Sequence, residues 1–281
     1  MPDGPLVVAL GSRRADVSAR ALVMGILNRT KDSFYSPAAT YELDEFFSRA
    51  EQLVDEGADV LDVGGVRAGP GEEVSEDEEL DRVVPVIAEL SRRFDVALSV
   101  DTWRATVAKE SYAAGAVIGN DISGFSDPDY LAVAAAARAT VVATHIRLRP
   151  RVADPEPRYE DVTKTVSEFL LERRRWARDA GLTHEQVIFD AGLDLGKTAP
   201  QSLQLLRDSH QLAELGSPLL LSASNKTFLG ALFDLEVSER ASASVAAVAL
   251  GIAQGCRIVR VHDVAGSIRV RDTLERIMSA R

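Results

Sequence analysis

Eight short apolar runs, each followed by a longer stretch of more polar sequence, constrain this chain more than any other feature. The runs are Ala21–Asn28, Ala58–Val63, Val96–Asp101, Ala116–Asn120, Thr140–Thr144, Val187–Asp190, Pro218–Ser222 and Arg257–Val261. Between them lie segments with helical spacing, such as Leu43–Glu56, Asp77–Arg93, Thr102–Ala114 and Val162–Ala180. Near-continuous apolar strands alternating with helices predict a parallel sheet covered by helices. Eight such units in 281 residues predict a closed (β/α)8 barrel. An open doubly wound sheet is the alternative, but the G-x-G-x-x-G turn that usually follows its first strand is absent. No linker divides the chain, so residues 1–281 are expected to form one domain. Within it, residues 1–20 hold a short apolar run, Leu6–Leu10, expected to form a hairpin that plugs one end of the barrel.

Composition removes several classes of function. The chain carries 32 Lys plus Arg against 43 Asp plus Glu, a net charge of −11. Nucleic acid is therefore not expected as a partner, because phosphate backbones need a basic footprint. No run of about 18 apolar residues exists, so no membrane span is expected. Its single cysteine, Cys256, cannot form an internal disulfide, and no signal-peptide pattern opens the sequence. Both point to the cytoplasm.

In a barrel of this kind, chemistry collects at the C-terminal ends of the strands. The polar residues at or just past those ends are Asn28, Asp62, Asp101, Asn120, His145, Asp190, Lys226, Arg260 and His262. For any single one, loop capping or a salt bridge is an equally good account. For the whole ring it is a poor one, since barrel stability needs no polar residue at nearly every strand end. Asp101, Asn120 and Asp190 are acceptors or mixed groups that suit a flat, amide-like heterocycle. Lys226, Arg260 and His262 are donors that suit an anion, and Asn28 offers a carbonyl oxygen to a hard metal ion. One long irregular stretch, Arg147–Arg158, contains three prolines and is expected to be a loop on the same rim.

At these positions the sequence resembles dihydropteroate synthase over nearly its whole length. The resemblance is carried by MGILNRTKDSF (Met24–Phe34), DVGGVRAGPG (Asp62–Gly71), SVDTWRATVA (Ser99–Ala108), NDISGF (Asn120–Phe125), THIR (Thr144–Arg147), FDAGLDLGKT (Phe189–Thr198), SNKTFLG (Ser224–Gly230) and VRVHDV (Val259–Val264). It is greatest to the divergent second paralogue of actinobacteria, and it implies a fold, an activity and a site. The family joins a dihydropterin pyrophosphate to 4-aminobenzoate, with Mg2+ assisting departure of pyrophosphate. By this resemblance Asp101, Asn120, Asp190 and Lys226 form a pterin pocket. Asn28, Arg260 and His262 hold the pyrophosphate, with Asn28 on the metal. Asp32, Ser33, Phe34 and Arg67 belong to loops over the site. The family also implies a homodimer, here through Ser238–Gly255 and Ala265–Ala280.

The departures cluster. Where the family reads T-P-D-S-F, this chain has Lys31 in place of the proline. Where it reads E-S-T-R-P-G, Ala68 replaces the threonine that touches aminobenzoate and Gly69 replaces the arginine that holds pyrophosphate. Asn225 replaces the arginine of S-R-K, and Leu195 replaces the phenylalanine of G-F-G-K. Random drift should strike the pterin acids as often as the second-substrate groups, yet the four pterin positions are intact. The sequence therefore predicts a pterin-binding homologue that has lost most or all synthase activity. A weak but active synthase and a pterin-dependent methyltransferase-like barrel are the alternatives.

Overall fold

A computed structural model describes residues 4–29, 39–69 and 71–279. Lys31, Asp32, Ser33, Phe34 and Pro70 lie outside the described residues. Eight parallel strands close into a barrel: β3 (Leu22–Asn28), β4 (Val60–Gly64), β5 (Ala97–Asp101), β6 (Ile118–Asp121), β7 (Thr140–Thr144), β8 (Val187–Asp190), β9 (Leu219–Leu221) and β10 (Cys256–Val261). β10 pairs with β3 to complete the ring, with Ile258 opposite Leu22 and Arg260 opposite Met24. The eight apolar runs of the sequence are these eight strands. The expected barrel, one domain in architecture, is the fold found.

The hairpin is present as well. β1 (Val7–Leu10) and β2 (Arg13–Asp16) pair antiparallel. Val8, Leu10 and Val17 pack against Leu22, Met24, Val60, Ala97, Ile118, Val142, Ile188, Leu220 and Ile258. The hairpin therefore seals the end of the barrel where the strands begin. Burying each aliphatic side chain here contributes about 1.5–3 kcal/mol.

Side chains alternate across a strand, so the next inward-facing position lies two residues further on. Counting two residues on from Val60, Ala97, Ile118, Val142, Ile188 and Ile258 gives Asp62, Ser99, Asn120, Thr144, Asp190 and Arg260. The interior thus changes from apolar to polar within one step along every one of these strands. The sealed end is core, and the C-terminal end is a polar floor.

The helices outside are capped by local sequence. In α2 (Glu76–Arg93), Ser75 accepts a hydrogen bond from the Glu78 amide at 3.1 Å. Its first turn is acidic and its last turn carries Arg92 and Arg93, matching the helix dipole. In α5 (Val162–Asp179), Asp161 accepts from the Lys164 amide at 2.9 Å. Thr198 and Gln201 form a reciprocal capping box on α6 (Ala199–Arg207). The remaining outer helices are α1 (Ala39–Asp55), α3 (Ala105–Ala113), α4 (Tyr130–Ala137), α7 (Ser209–Ala213), α8 (Thr227–Gly230), α9 (Ala241–Ala253) and α10 (Val264–Ser279). The small residues of α9 serve the barrel wall: a Cβ on Gly251 would stand 2.4 Å from Leu221 Cδ2. No helix among the described residues is long and apolar enough to cross a membrane.

Candidate functional site

The polar floor is organised around Arg260. Its Nε donates to Asp62 Oδ2 at 2.6 Å and its Nη2 to Asp101 Oδ2 at 2.7 Å. Asn120 Nδ2 donates to the same Asp62 oxygen at 3.1 Å. Four strands thus meet in one network, with Asp62 fully buried and its Oδ1 without a partner among the described residues. Sequence reasoning placed Arg260 as an anion donor. The structure turns two of its three nitrogens to carboxylates, and Nη1 takes part in neither contact. Burial alone would pull the guanidinium's proton affinity down, but Asp62 and Asp101 outweigh that and push it up. Burial raises the Asp101 carboxyl to about 7, with Arg260 opposing and Asp62 adding to the rise.

Asp190 and Lys226 form the other side. Asp190 ends β8, is buried, and accepts the Gly192 amide at 2.7 Å. The turn needs glycine at 192: its φ is +64°, and a Cβ there would stand 1.9 Å from the His145 carbonyl oxygen. Lys226, at the start of α8, donates Nζ to the Leu193 carbonyl at 2.7 Å. Burial raises Asp190 and lowers Lys226, and each charge opposes the shift of the other. A heterocycle entering between Asp101, Asn120, Asp190 and Lys226 would meet two carboxylates, an amide and an ammonium group in a water-poor setting.

Asn28 and His262 stand higher on the rim. Asn28 ends β3 and is exposed. The space above Gly64 is flanked by Asn28 Oδ1 and Asp101 Oδ2, which would stand 3.4 and 3.6 Å from a Cβ built there. His262 Nδ1 lies 2.9 Å from Ser224 Oγ, and burial, then Arg260, lowers its proton affinity. Asn225 has φ +58°, and its Nδ2 lies 3.4 Å from the same His262 nitrogen. Arg67 is exposed on the loop after β4.

Three contributors escaped the sequence reading as site residues. Asp62 appeared only as one polar strand residue, yet it joins Arg260 to Asn120. Lys197 is buried and reaches His145 Nδ1 at 2.9 Å, the Gly192 carbonyl at 2.8 Å and the Leu195 carbonyl at 3.0 Å. Burial, then nearby Lys226, lowers this lysine to about 7. Burial, then Lys197, lowers His145 to about 3, so the imidazole is a neutral acceptor. Arg151 reaches across the mouth from the proline-rich stretch. Its Nη1 donates to the Arg67 carbonyl at 3.0 Å, its Nη2 to the Glu72 carbonyl, and its amide to the Ala68 carbonyl at 3.2 Å. Nothing in the sequence of that stretch, RLRPRVADPEPR, signals the role.

A barrel sealed at one end, with an acceptor-rich floor and a lysine opposite at the other, presents donors and acceptors that suit a small polar heterocycle. Comparison with known proteins identifies the class. The pattern of the family described as "Pterin binding enzyme" matches residues 24–262. Dihydropteroate synthase of Bacillus subtilis is 39% identical over 262 residues, covering 92% of this chain and 90% of the relative. "Inactive dihydropteroate synthase 2" of Mycobacterium leprae is 40% identical over 268 residues, covering 93% and 92%. The solved Xanthomonas albilineans dihydropteroate synthase with 4-aminobenzoic acid is 34% identical with a TM-score of 0.91, covering 99% of this chain and 100% of that one. This chain belongs to the dihydropteroate synthase family. Its identity to a synthase and to an inactive relative is the same within one percentage point (39% and 40%), so overall similarity does not decide activity.

Proposed function

We propose that this chain is a pterin-binding member of the family with little or no synthase activity. The observation that carries the reading is the intact floor beneath an altered rim. Asp101, Asn120, Asp190 and Lys226 converge at the open mouth and supply complementary partners for a pterin ring. Above them, Ala68, Gly69, Leu195 and Asn225 stand where the resemblance puts groups for aminobenzoate and pyrophosphate. Losing one group that stabilises developing charge typically reduces rate by about 10²–10³, and groups that act as one closed unit do not add independently.

In this reading an anion attached to the pterin lies against Asn28 and His262, with Nη1 of Arg260 beneath. The donor set fits Mg2+ only as an ion carried in by phosphate oxygens. Asn28 offers one oxygen, and no group of three acidic, histidine or cysteine ligands is present among the described residues. Mg2+ bound there would draw charge from a departing pyrophosphate. The homodimer is part of the proposal: Leu250 on α9 and Ile277 and Met278 on α10 are exposed large apolar residues on the two helices expected to pair. A cytoplasmic location belongs to the same reading.

The test is calorimetry with dihydropterin pyrophosphate together with a synthase assay and complementation of a strain lacking its synthase. Tight pterin binding with turnover at least about 10²-fold below an ordinary relative supports the proposal. Robust turnover would make the protein a synthase with variant loops.

A further inference from the structure

The basic side chains of this acidic chain are not spread evenly. Two cavities open on the outside of the barrel toward its sealed end and meet at Thr183. One, of about 760 Å³, lies against α5 and the start of β8. The other, of about 740 Å³, lies between the hairpin and the end of α4. Arg174, Arg175 and Arg178 line the first and Arg14 and Arg138 the second, against a single carboxylate, Glu168. The whole chain has the opposite balance, with 32 Lys plus Arg against 43 Asp plus Glu.

Helix geometry builds the first wall. Leu171, Arg174, Arg175 and Arg178 stand at i, i+3, i+4 and i+7 and so share one face of α5. Arg173 turns elsewhere, its guanidinium carbon 4.1 Å from the Phe169 ring centroid and 3.7 Å from that of Trp176. Arg14 Nε donates to Glu185 at 2.7 Å, Arg174 Nη1 donates to the Leu215 carbonyl at 2.6 Å, and Arg178 Nη2 lies 3.5 Å from Asp179. Arg138 and Arg175 are exposed and have no partner among the described residues. Each cavity therefore holds one uncommitted guanidinium. The one acid, Glu168, lies 4.0 Å from Lys164.

A guanidinium presents a planar fork of donors to a carboxylate or a phosphate. The floor decides between them. Leu182 and Val187 are buried and Leu171 half-buried beneath the arginines, and Ala9 and Ala135 line the second cavity. A bare polyphosphate would leave that aliphatic surface uncovered. A nucleic-acid strand would run on into the field of a chain whose net charge is −11, whereas a short acidic segment feels mainly the charges within about 8–10 Å. We propose that the joined cavities form a docking groove for an extended acidic segment of a partner protein, with carboxylates on Arg138 and Arg175 and an aliphatic side chain over Leu182 and Val187. The groove is remote from the pterin floor and does not depend on the reading given to it.

The experiment titrates the full chain, by fluorescence anisotropy, into a short labelled peptide of Glu with interspersed Leu. The same peptide with Gln for Glu, an oligouridylate of equal charge and tripolyphosphate are the comparison probes. The Glu peptide should bind at least about tenfold more tightly than the Gln peptide and should weaken as salt is added. Arg138→Glu and Arg175→Glu together should weaken it at least about tenfold, and each alone by less, since each removes one end of the groove. Both side chains are exposed, so the urea midpoint and 6-hydroxymethylpterin binding of the double variant should match those of the wild type. No binding of the Glu peptide, or binding that the double variant leaves unchanged, would overturn the proposal. So would oligouridylate or tripolyphosphate binding as tightly as the Glu peptide, which would make the groove a general polyanion site.

Discussion

The floor and the rim of the barrel mouth are built from different material. The floor residues Asp62, Asp101, Asn120, Asp190 and Arg260 lie on strands, where closure of the sheet fixes each backbone. Asp62, Asp101, Asn120 and Arg260 form one hydrogen-bonded network in which Arg260 is the cation shared by the two carboxylates. The rim residues Ala68, Gly69, Leu195 and Asn225 lie on loops; the first three have no polar side chain, and Asn225 Nδ2 lies 3.4 Å from His262 Nδ1. Changing a floor residue disturbs several partners at once. Changing a rim residue alters what can bind while leaving the barrel as it is. A chain can therefore lose its second-substrate chemistry with its fold and first pocket intact.

The largest expected effect tests whether the rim alone accounts for lost activity. Ala68→Thr, Gly69→Arg, Leu195→Phe and Asn225→Arg, combined with Lys31→Pro, should raise synthase turnover by about 10²-fold or more, while each single change does little. An assay showing no recovery would place the divergence in the floor as well and erase the contrast.

Next in size is the floor's dependence on Arg260. Arg260→Met leaves Asp62 and Asp101 buried without their cation and should lower stability by about 3–5 kcal/mol. The matching rim change, Arg67→Met, should stay within about 0.5 kcal/mol. Urea midpoints that move equally for the two variants would break the comparison.

A smaller effect concerns ligand binding. Asp190→Asn removes the carboxylate facing Lys226 and should weaken pterin binding by about 1.5–3 kcal/mol. Leu195→Phe should leave pterin affinity within a factor of about three. Calorimetry on both variants sharpens the boundary between the two regions.

The smallest effect is read from pH. His145 joins floor to rim, and its folded imidazole protonates only near pH 3 against an ordinary value of 6.5. Between those values the unfolded chain binds more protons than the folded one. The contribution is therefore present above pH 6.5 and is lost as pH falls toward 3. The stability difference between wild type and His145→Gln should shrink from pH 7 to pH 4. A difference independent of pH would mean that the folded imidazole titrates as it does in the unfolded chain.

Much of this was legible in the chain. The eight apolar runs fell on the eight strands to within two residues at each end, because a parallel strand covered on both faces must be apolar along its length. The polar ring was legible for the complementary reason: a polar group that ends an apolar run stands out, and the fold places such ends at one mouth. The Leu6–Leu10 run in residues 1–20 read correctly as a plug. What stayed hidden was pairing. Nothing local distinguishes an arginine free for an anion from one held by carboxylates, and Arg260 meets Asp62 across 198 residues of sequence.

The sequence by itself determined the barrel, the sealed end and the identity of the polar positions, because strand alternation and helix capping are short-range rules. Only the tertiary structure decided that Arg260 is shared by Asp62 and Asp101 and that Arg151 clasps the loop at Arg67 and Glu72. Those facts depend on which loops meet once the ring has closed, and a linear pattern of residue types carries no record of that meeting.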